Sequence, residues 1–532
     1  MDFEEIEKTR EINKSNFKEA LVVLVGGIIV LAAIFFWYYQ DVQKRSQVSE
    51  ILRGNKSTPG AVELHDKGDL KSLKEAMALY TKALDIKDDY PVLNAKASML
   101  AFQMDFFYGV SDHRQLGIKL LDELEKNNVD KEERFAAKCF KHLGDGDLVQ
   151  AIESVDKITK RVGKKASFSS CQGEAQLLSG KFDDALSNFL AAKQLSYKNP
   201  LLPLGAAKAY LNKWDIRNTK SMAKAAIKTN GRIKSAKAYL AIANAIGERK
   251  GFRKSKSEID ETLADVDSLG QKDAELAKAA AATIYWRLGD AEKASNYLKE
   301  TGGFLDSTVG EWVSSQIEYL SGDKEKAIKQ MKAVVDSRKD LDNLKFEYLK
   351  LLAKTVKPAE TLKELNTFIK ENTKDLKPSE YPVSVFVDRL TVLSEIPNYF
   401  RDRKIRKMFE SDVIAGLKAD ETNSKIAYFN MIYFINRGKV EPAFKSFQVA
   451  KNGSDSYNTF FNLGSFLLNK RGFFNDGLAM LNEAVKIRSR SAYYLQADTM
   501  DMVADVLTKK RKRKLAKEFK KKAEVIRKGE SI

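Results

Sequence analysis

LLSGKFDDALSNFLAAKQLSYKNP, residues 177–200, reads as the turn and second helix of a helical hairpin. Gly180 permits a tight turn, Ala185 lets two helices approach, Phe189 fills the space between them, and Ala192 leaves room for a following pair. Gly173, seven residues before Gly180, is the matching small residue on the first helix, and Pro200 opens the next unit where its missing N–H does no harm. The arrangement recurs. Six glycines are followed by packing residues at +5, +9 and +12, and they come in pairs: Gly146 and Gly180, Gly289 and Gly322, Gly438 and Gly472. Separations of 34, 33 and 34 residues are the mark of a solenoid of helix-turn-helix units, each burying its apolar face against its neighbours.

Composition agrees with an all-α chain. The 532 residues are 43% hydrophobic and 31% charged with nine prolines, which suits amphipathic helices with solvated outer faces. Two cysteines, Cys139 and Cys171, are too few for a disulfide framework and lack zinc-ligand spacing. Cys139 lies seven residues before Gly146, where a helix pair wants a small side chain, and is read as a packing residue.

The spacing resembles the tetratricopeptide repeat family. The resemblance continues in WRLGDAEKASNYL (286–298), LSGDKEKAIKQMKAVV (320–335), NRGKVEPAFKSFQVA (436–450) and, with one residue inserted, NLGSFLLNKRGFFNDGLAMLNEA (462–484). Weaker units fit Lys213 with Met222 and Ala225, the stretch around Lys250 and Gly251, and Ala76, Tyr80 and Ala83 of EAMALYTKAL. The expected organisation is a tail over 1–19, a transmembrane helix over 20–39, a linker over 40–64, and a first repeat block over 65–340. An irregular helical connection over 341–400, punctuated by Pro358, Pro378, Pro382 and Pro397, leads to a second block over 401–508 and a basic helix or tail over 509–532.

Ala20 to Tyr39, ALVVLVGGIIVLAAIFFWYY, carries no charge. As a helix rising ~1.5 Å per residue it would cross a hydrocarbon core of ~30 Å. Trp37, Tyr38 and Tyr39 stand at its end, where aromatic side chains favour the interface. The preceding residues hold six acids against four bases and FFWYYQDVQ follows, so an uncleaved anchor is expected rather than a signal peptide. Positive charges balance on the two sides of the span. The expected orientation, from the short N-terminal tail, is N-terminus in the cytoplasm with the repeats outside, periplasmic if the cell is bacterial.

Signals for catalysis are absent. His65, His113 and His142 belong to no H-E-x-x-H or triad pattern, Gly180-Lys181 is a hinge rather than a phosphate loop, and Asp183 and Asp184 sit where a helix N-terminus favours negative charge. No catalytic residue, metal or cofactor is assigned. The family resemblance implies a concave groove lined by the first helix of each unit. In that register stand Thr283 and Trp286, then Trp312, Gln316 and Tyr319, and farther on Tyr428, Asn458 and Phe461. Rings and amides of this kind suit a peptide. Some family members grip the acidic tail of heat-shock chaperones with an Asn/Lys/Arg clamp. Asn462 matches one of its asparagines, but Ile432, Tyr493 and Ala497 depart from the pattern, so that role is not carried over.

The net charge of +18 is concentrated, because 509–528 hold twelve Lys/Arg against Glu518 and Glu524. Lys509, Lys510, Arg511, Lys512, Arg513, Lys514, Lys520, Lys521 and Lys522 form a candidate site for anionic lipid or an acidic protein, or the outer face of a helix that caps the solenoid. Nucleic acid is not an expected partner of a domain outside the cytoplasm. These features imply a non-enzymatic, membrane-anchored scaffold that organises a complex by binding proteins or peptides. The alternative is a membrane-tethered receptor or chaperone for translocating or secreted polypeptides.

Overall fold

The computed structural model describes residues 3–527 apart from 56, 130, 248–251, 305–306, 339–340, 356–357, 375, 454–455 and 492–495. Lys250, Gly251 and Tyr493 of the sequence reading lie outside the described residues. Among the described residues the chain is all-α, with twenty-seven α-helices and no strand. It divides into two compact units, Met1–Leu202 and Pro203–Ile532, whereas the sequence reading sets its division at 341–400.

Each of the six hinge glycines is left-handed, with φ between 71° at Gly438 and 100° at Gly322. A Cβ added at Gly146, Gly180, Gly289, Gly322 or Gly472 would meet nothing within 4 Å, so backbone conformation and not crowding demands glycine there. The residues at +5, +9 and +12 are buried, as in Ala185, Phe189 and Ala192, or Ala327, Met331 and Val334. Three of the six hinges, and the turn at Gly68, share a second device. An aspartate follows the left-handed residue and its carboxylate accepts the N3 backbone N–H of the next helix: Asp69 from Ser72, Asp147 from Gln150, Asp290 from Lys293 and Asp323 from Lys326. One residue ends a helix and the next caps the following one, so the two run back antiparallel. After Gly180, by contrast, Lys181 is the cap position, and Asp183 and Asp184 fall in the first turn.

The weak unit at Lys213 needs a correction of one residue. Its left-handed position is Trp214, at φ 58°, followed by the capping Asp215. The buried residues of the Ile216–Thr229 helix are therefore Thr219, Ala223 and Ala226, while Met222 and Ala225 are half-buried. Tryptophan bears the left-handed cost because its ring is buried, 5.0 Å from the ring of Trp312. The four prolines of 341–400 stand at helix ends. Pro358 begins Pro358–Thr373, Pro378 a short 3-10 turn, Pro382 caps Val383–Glu395, and Pro397 follows that helix. Leu349, Leu365, Phe368, Phe386, Leu390 and Phe409 give the stretch a core continuous with the helix that follows.

The two cysteines also depart from the sequence reading: they are bonded. Helices Glu132–Asp145 and Ala166–Leu178 are the first helices of successive hairpins, and their packing brings Cys139 and Cys171 to a Cα–Cα distance of 6.3 Å, with the sulfurs joined as a disulfide. Both are fully buried. Two cysteines 32 residues apart, close to one repeat length, land side by side in such an array.

The first helix, Phe3–Arg53, runs without a break through 20–39 and into the stretch read as a linker. Its end docks on the first hairpins through buried Val48 and Leu52, and Asp41 accepts from the Lys87 ammonium at 2.6 Å. That bond holds the Asp41 carboxyl below the usual range and the Lys87 ammonium above its own. The apolar part is bare, with Leu24, Ile29, Leu31, Phe35 and Trp37 all more than half exposed, and it is long and apolar enough to cross a membrane.

Asp273 sits buried in the first turn of Gln271–Leu288, accepting a hydrogen bond from Ser235. Burial raises its carboxyl to about 6, outweighing that bond and the charges of Lys208 and Lys234. The folded state therefore holds more protons than the unfolded state between about pH 4 and pH 6, and stability falls as pH rises through that window. Above it the full cost is present. Asp273→Asn is expected to raise the melting temperature at pH 7.5, by the equivalent of about 2 kcal/mol, and to give no gain at pH 4. An equal gain at both pH values would show that the carboxyl is not the cause.

Candidate functional site

Three helices of the second unit present half-exposed polar faces to one another. Val383–Glu395 ends where Ile396 turns extended before Pro397. Ser424–Asn436 starts at Asn423, whose carboxamide accepts from the N–H groups of Lys425 and Ile426. It buries Ile426, Phe429, Met431 and Tyr433, which leaves Tyr428, Ile432, Ile435 and Asn436 off its most buried face. Ser456–Leu467 buries Thr459, Leu463, Gly464 and Phe466 and leaves Asn458, Asn462 and Ser465 on the other side. The faces enclose an open cleft of about 590 Å³, within the usual range for a ligand site.

Its polar groups are mostly amides. Asn462 Nδ2 lies 3.0 Å from the Tyr428 hydroxyl, a bond that ties neighbouring repeats. Asn436 donates Nδ2 to the Ile432 carbonyl at 2.9 Å and Asn469 donates Nδ2 to the Ser465 carbonyl at 2.8 Å. A carbonyl can only accept, so both amides have fixed orientation and each keeps its Oδ1 open as an acceptor. Ser465 Oγ is buried without a hydrogen-bond partner among the described residues. Glu395 supplies the one charged lining group, with the Lys354 ammonium 3.8 Å from its Oε2. Tyr399 completes the wall, and burial, with Tyr428 nearby, holds its hydroxyl proton well above the usual phenol range.

Sequence register places Tyr428 and Asn458 in this lining. Phe461, next to them in sequence, packs instead against the C-terminal core and the ring of Tyr457. In the earlier repeats Trp286 and Trp312 meet edge to face at 4.9 Å. Trp312 is 3% exposed and Thr283 fully enclosed, with its hydroxyl donating to the Ala279 carbonyl, so both stand inside the helix packing. Trp286, Gln316 and Tyr319 remain half-buried. Burial, aided by the charge of Glu395, raises the Tyr319 phenol, which links that side chain electrostatically to the cleft wall. Asn462 entered the sequence reading only as a clamp residue; Tyr399, Glu395, Asn436, Ser465 and Asn469 did not enter it. The spacing of Asn458 and Asn462, one helical turn apart, was the signal available.

The basic tail holds one helix, which pairs with the helix before it. Gln496–Lys509 and Arg513–Arg527 are joined by a turn with Arg511 at φ 58°. Ala516, Phe519 and Ala523 are buried against Val503 and Leu507, and Lys509, Lys510, Arg511, Lys512, Arg513, Lys514, Lys520, Lys521 and Lys522 are all exposed. All three histidines belong to the first unit, where the His65 ring nitrogens lie 2.6 Å from Gln103 Oε1 and 3.4 Å from the Tyr80 hydroxyl. Among the described residues no three of His, Cys, Asp and Glu are grouped to hold a metal ion.

No family model matches the chain, and no curated protein matches it. Among solved structures it is similar to the human IFIT1 dimer with PPP-AAAA, at 15% identity over 68% of this chain and 94% of that one, with a TM-score of 0.34. It is also similar to the APC/C hetero-tetramer Cut9-Hcn1, at 11% identity over 86% of this chain and 95% of that one, with a TM-score of 0.36. Neither likeness carries a ligand or a partner to this chain.

Proposed function

We propose that this chain is a membrane-anchored, non-enzymatic scaffold whose tetratricopeptide-like repeats hold segments of partner proteins and so organise a complex at the membrane. The observation that carries the reading is the amide-lined cleft. It is open, built from the faces of successive first helices, and it offers hydrogen-bonding groups beside rings and aliphatic surface, the mixture a polypeptide needs. Two further features support the setting. Within 20–39 fourteen large apolar side chains, from Leu21 to Tyr39, stand exposed, and lipid removes the cost of leaving them in water. The Cys139–Cys171 disulfide favours an oxidising compartment, hence repeats outside the cytoplasm and the N-terminus inside.

Capture from detergent extract tests the function. The full chain is expected to retain a fixed, stoichiometric set of proteins, and Tyr428→Ala with Asn462→Ala to lose at least one of them while the helical circular-dichroism signal stays constant. Retention of the whole set by the double variant would sink the cleft as the binding site. Many substoichiometric unfolded clients would favour a chaperone instead. A reporter fused after Ile532 and active only outside the cytoplasm is the expected topology result; activity only inside would reverse it.

A further inference from the structure

The chemistry of the cleft is one-sided. Among the described residues no lysine or arginine lines the cleft, and Glu395 is its one charged lining group, with the Lys354 ammonium, outside the lining, 3.8 Å from its Oε2. The open groups with fixed roles are acceptors: Oδ1 of Asn436, whose amide nitrogen is committed to the Ile432 carbonyl, and Oδ1 of Asn469, whose amide nitrogen is committed to the Ser465 carbonyl. A carboxylate entering here would face Glu395 and amide oxygens. A group rich in N–H donors and carrying positive charge would find partners for each.

The apolar part of the lining points the same way. Tyr399 and Tyr428 bring aromatic rings to the lining, and such rings attract ammonium and guanidinium groups, while Ile432, beside the largely buried Phe466, adds apolar surface for an aliphatic stem. We propose that the cleft takes a polypeptide segment through a lysine or arginine side chain, its stem on Ile432 and Phe466 and its charge against Glu395 and the Tyr399 and Tyr428 rings. The inference rests on the reading of the cleft as a protein-binding site. It reverses the polarity expected from net charge alone, because a chain of +18 as a whole attracts acidic segments.

Selection of random displayed peptides on the full chain in non-ionic detergent tests it. The expected result is enrichment of Lys or Arg at one position, which bulk attraction to a basic protein cannot produce. A selected peptide should bind about tenfold more weakly to Glu395→Gln, and its own Arg→citrulline counterpart about tenfold more weakly to the unaltered chain. The two changes together should cost little more than either alone, since both break one contact. Peptides that lose binding to Tyr428→Ala but carry no basic position, or that ignore Glu395→Gln, would overturn the cationic ligand and leave protein binding standing. Failure to select any peptide sensitive to Tyr428→Ala would overturn both. Circular dichroism of each variant separates loss of the contact from loss of the fold.

Discussion

Valine at Gly464 is expected to destabilise the C-terminal hairpins by about 3 kcal/mol or more, and valine at Gly477 by a similar amount. These glycines face each other where Ser456–Leu467 crosses Phe474–Ser491. A Cβ on Gly464 would come within 2.9 Å of the Gly477 carbonyl oxygen, and one on Gly477 within 2.8 Å of the Leu468 amide nitrogen. The obstacle is backbone on both sides, so no rotamer change relieves it and the helices must separate. Gly472→Ala supplies the contrast. Its Cβ would meet nothing, and only the left-handed φ of 87° resists it, at about 1–2 kcal/mol. Hydrogen exchange should localise the loss: in an array stabilised by nearest neighbours, amides after 456 lose protection first while the hairpins of the first unit keep theirs. Equal costs at Gly464 and Gly472 would show that the helices are not in backbone contact.

Removing the disulfide is the second large effect. Cys139→Ser with Cys171→Ser is expected to cost about 3–4 kcal/mol for a closed loop of this length, and to leave a hydroxyl in each of two enclosed positions. The double alanine variant, without the hydroxyls, should lose less. Protein from its native membrane fraction, alkylated before and after reduction, should react at both cysteines only after reduction. Alkylation of both in denatured, unreduced protein would place the pair in a reducing compartment and remove its support for the proposed orientation.

Glycine and alanine spacing carried much of the fold into the sequence, because a left-handed turn and a close helix crossing each accept few side chains. That logic fails where tertiary packing outweighs local preference. Trp214 takes the left-handed position without being glycine, since burial of its ring against Trp312 offsets the backbone cost, and the repeat read from Lys213 shifts by one residue as a result. The 32-residue spacing of the cysteines, close to one repeat length, points to their contact, but a small residue seven before a hinge is also what helix packing alone asks for, and that reading hides the bond. The site was legible in part. Tyr428 and Asn458 fall in the cleft by register, but Phe461, also taken by register, turns into the adjoining core beside Tyr457. The residue inserted between the two helices of that hairpin leaves the register counted back from Gly472 ambiguous by one, and a one-residue error, about 100°, moves a side chain from groove to core. Glu395 and Tyr399 come from a stretch without the glycine register, so no counting rule reached them.

The unbroken helix Phe3–Arg53 has a mechanical meaning under the proposed anchoring. A flexible tether would let the first hairpins tumble freely. Here some fourteen helical residues after Tyr39 form a stiff strut of about 20 Å, with the Asp41–Lys87 pair clamping its near end and Val48 and Leu52 its far end. Height above the bilayer and rotational setting of those hairpins are thereby fixed by the roll of a single helix. A one-residue insertion between Tyr39 and Asp41 would swing them about 100° around the helix axis. The anchor then acts as an indexing shaft, and partners approaching from the membrane plane meet the first hairpins at one bearing.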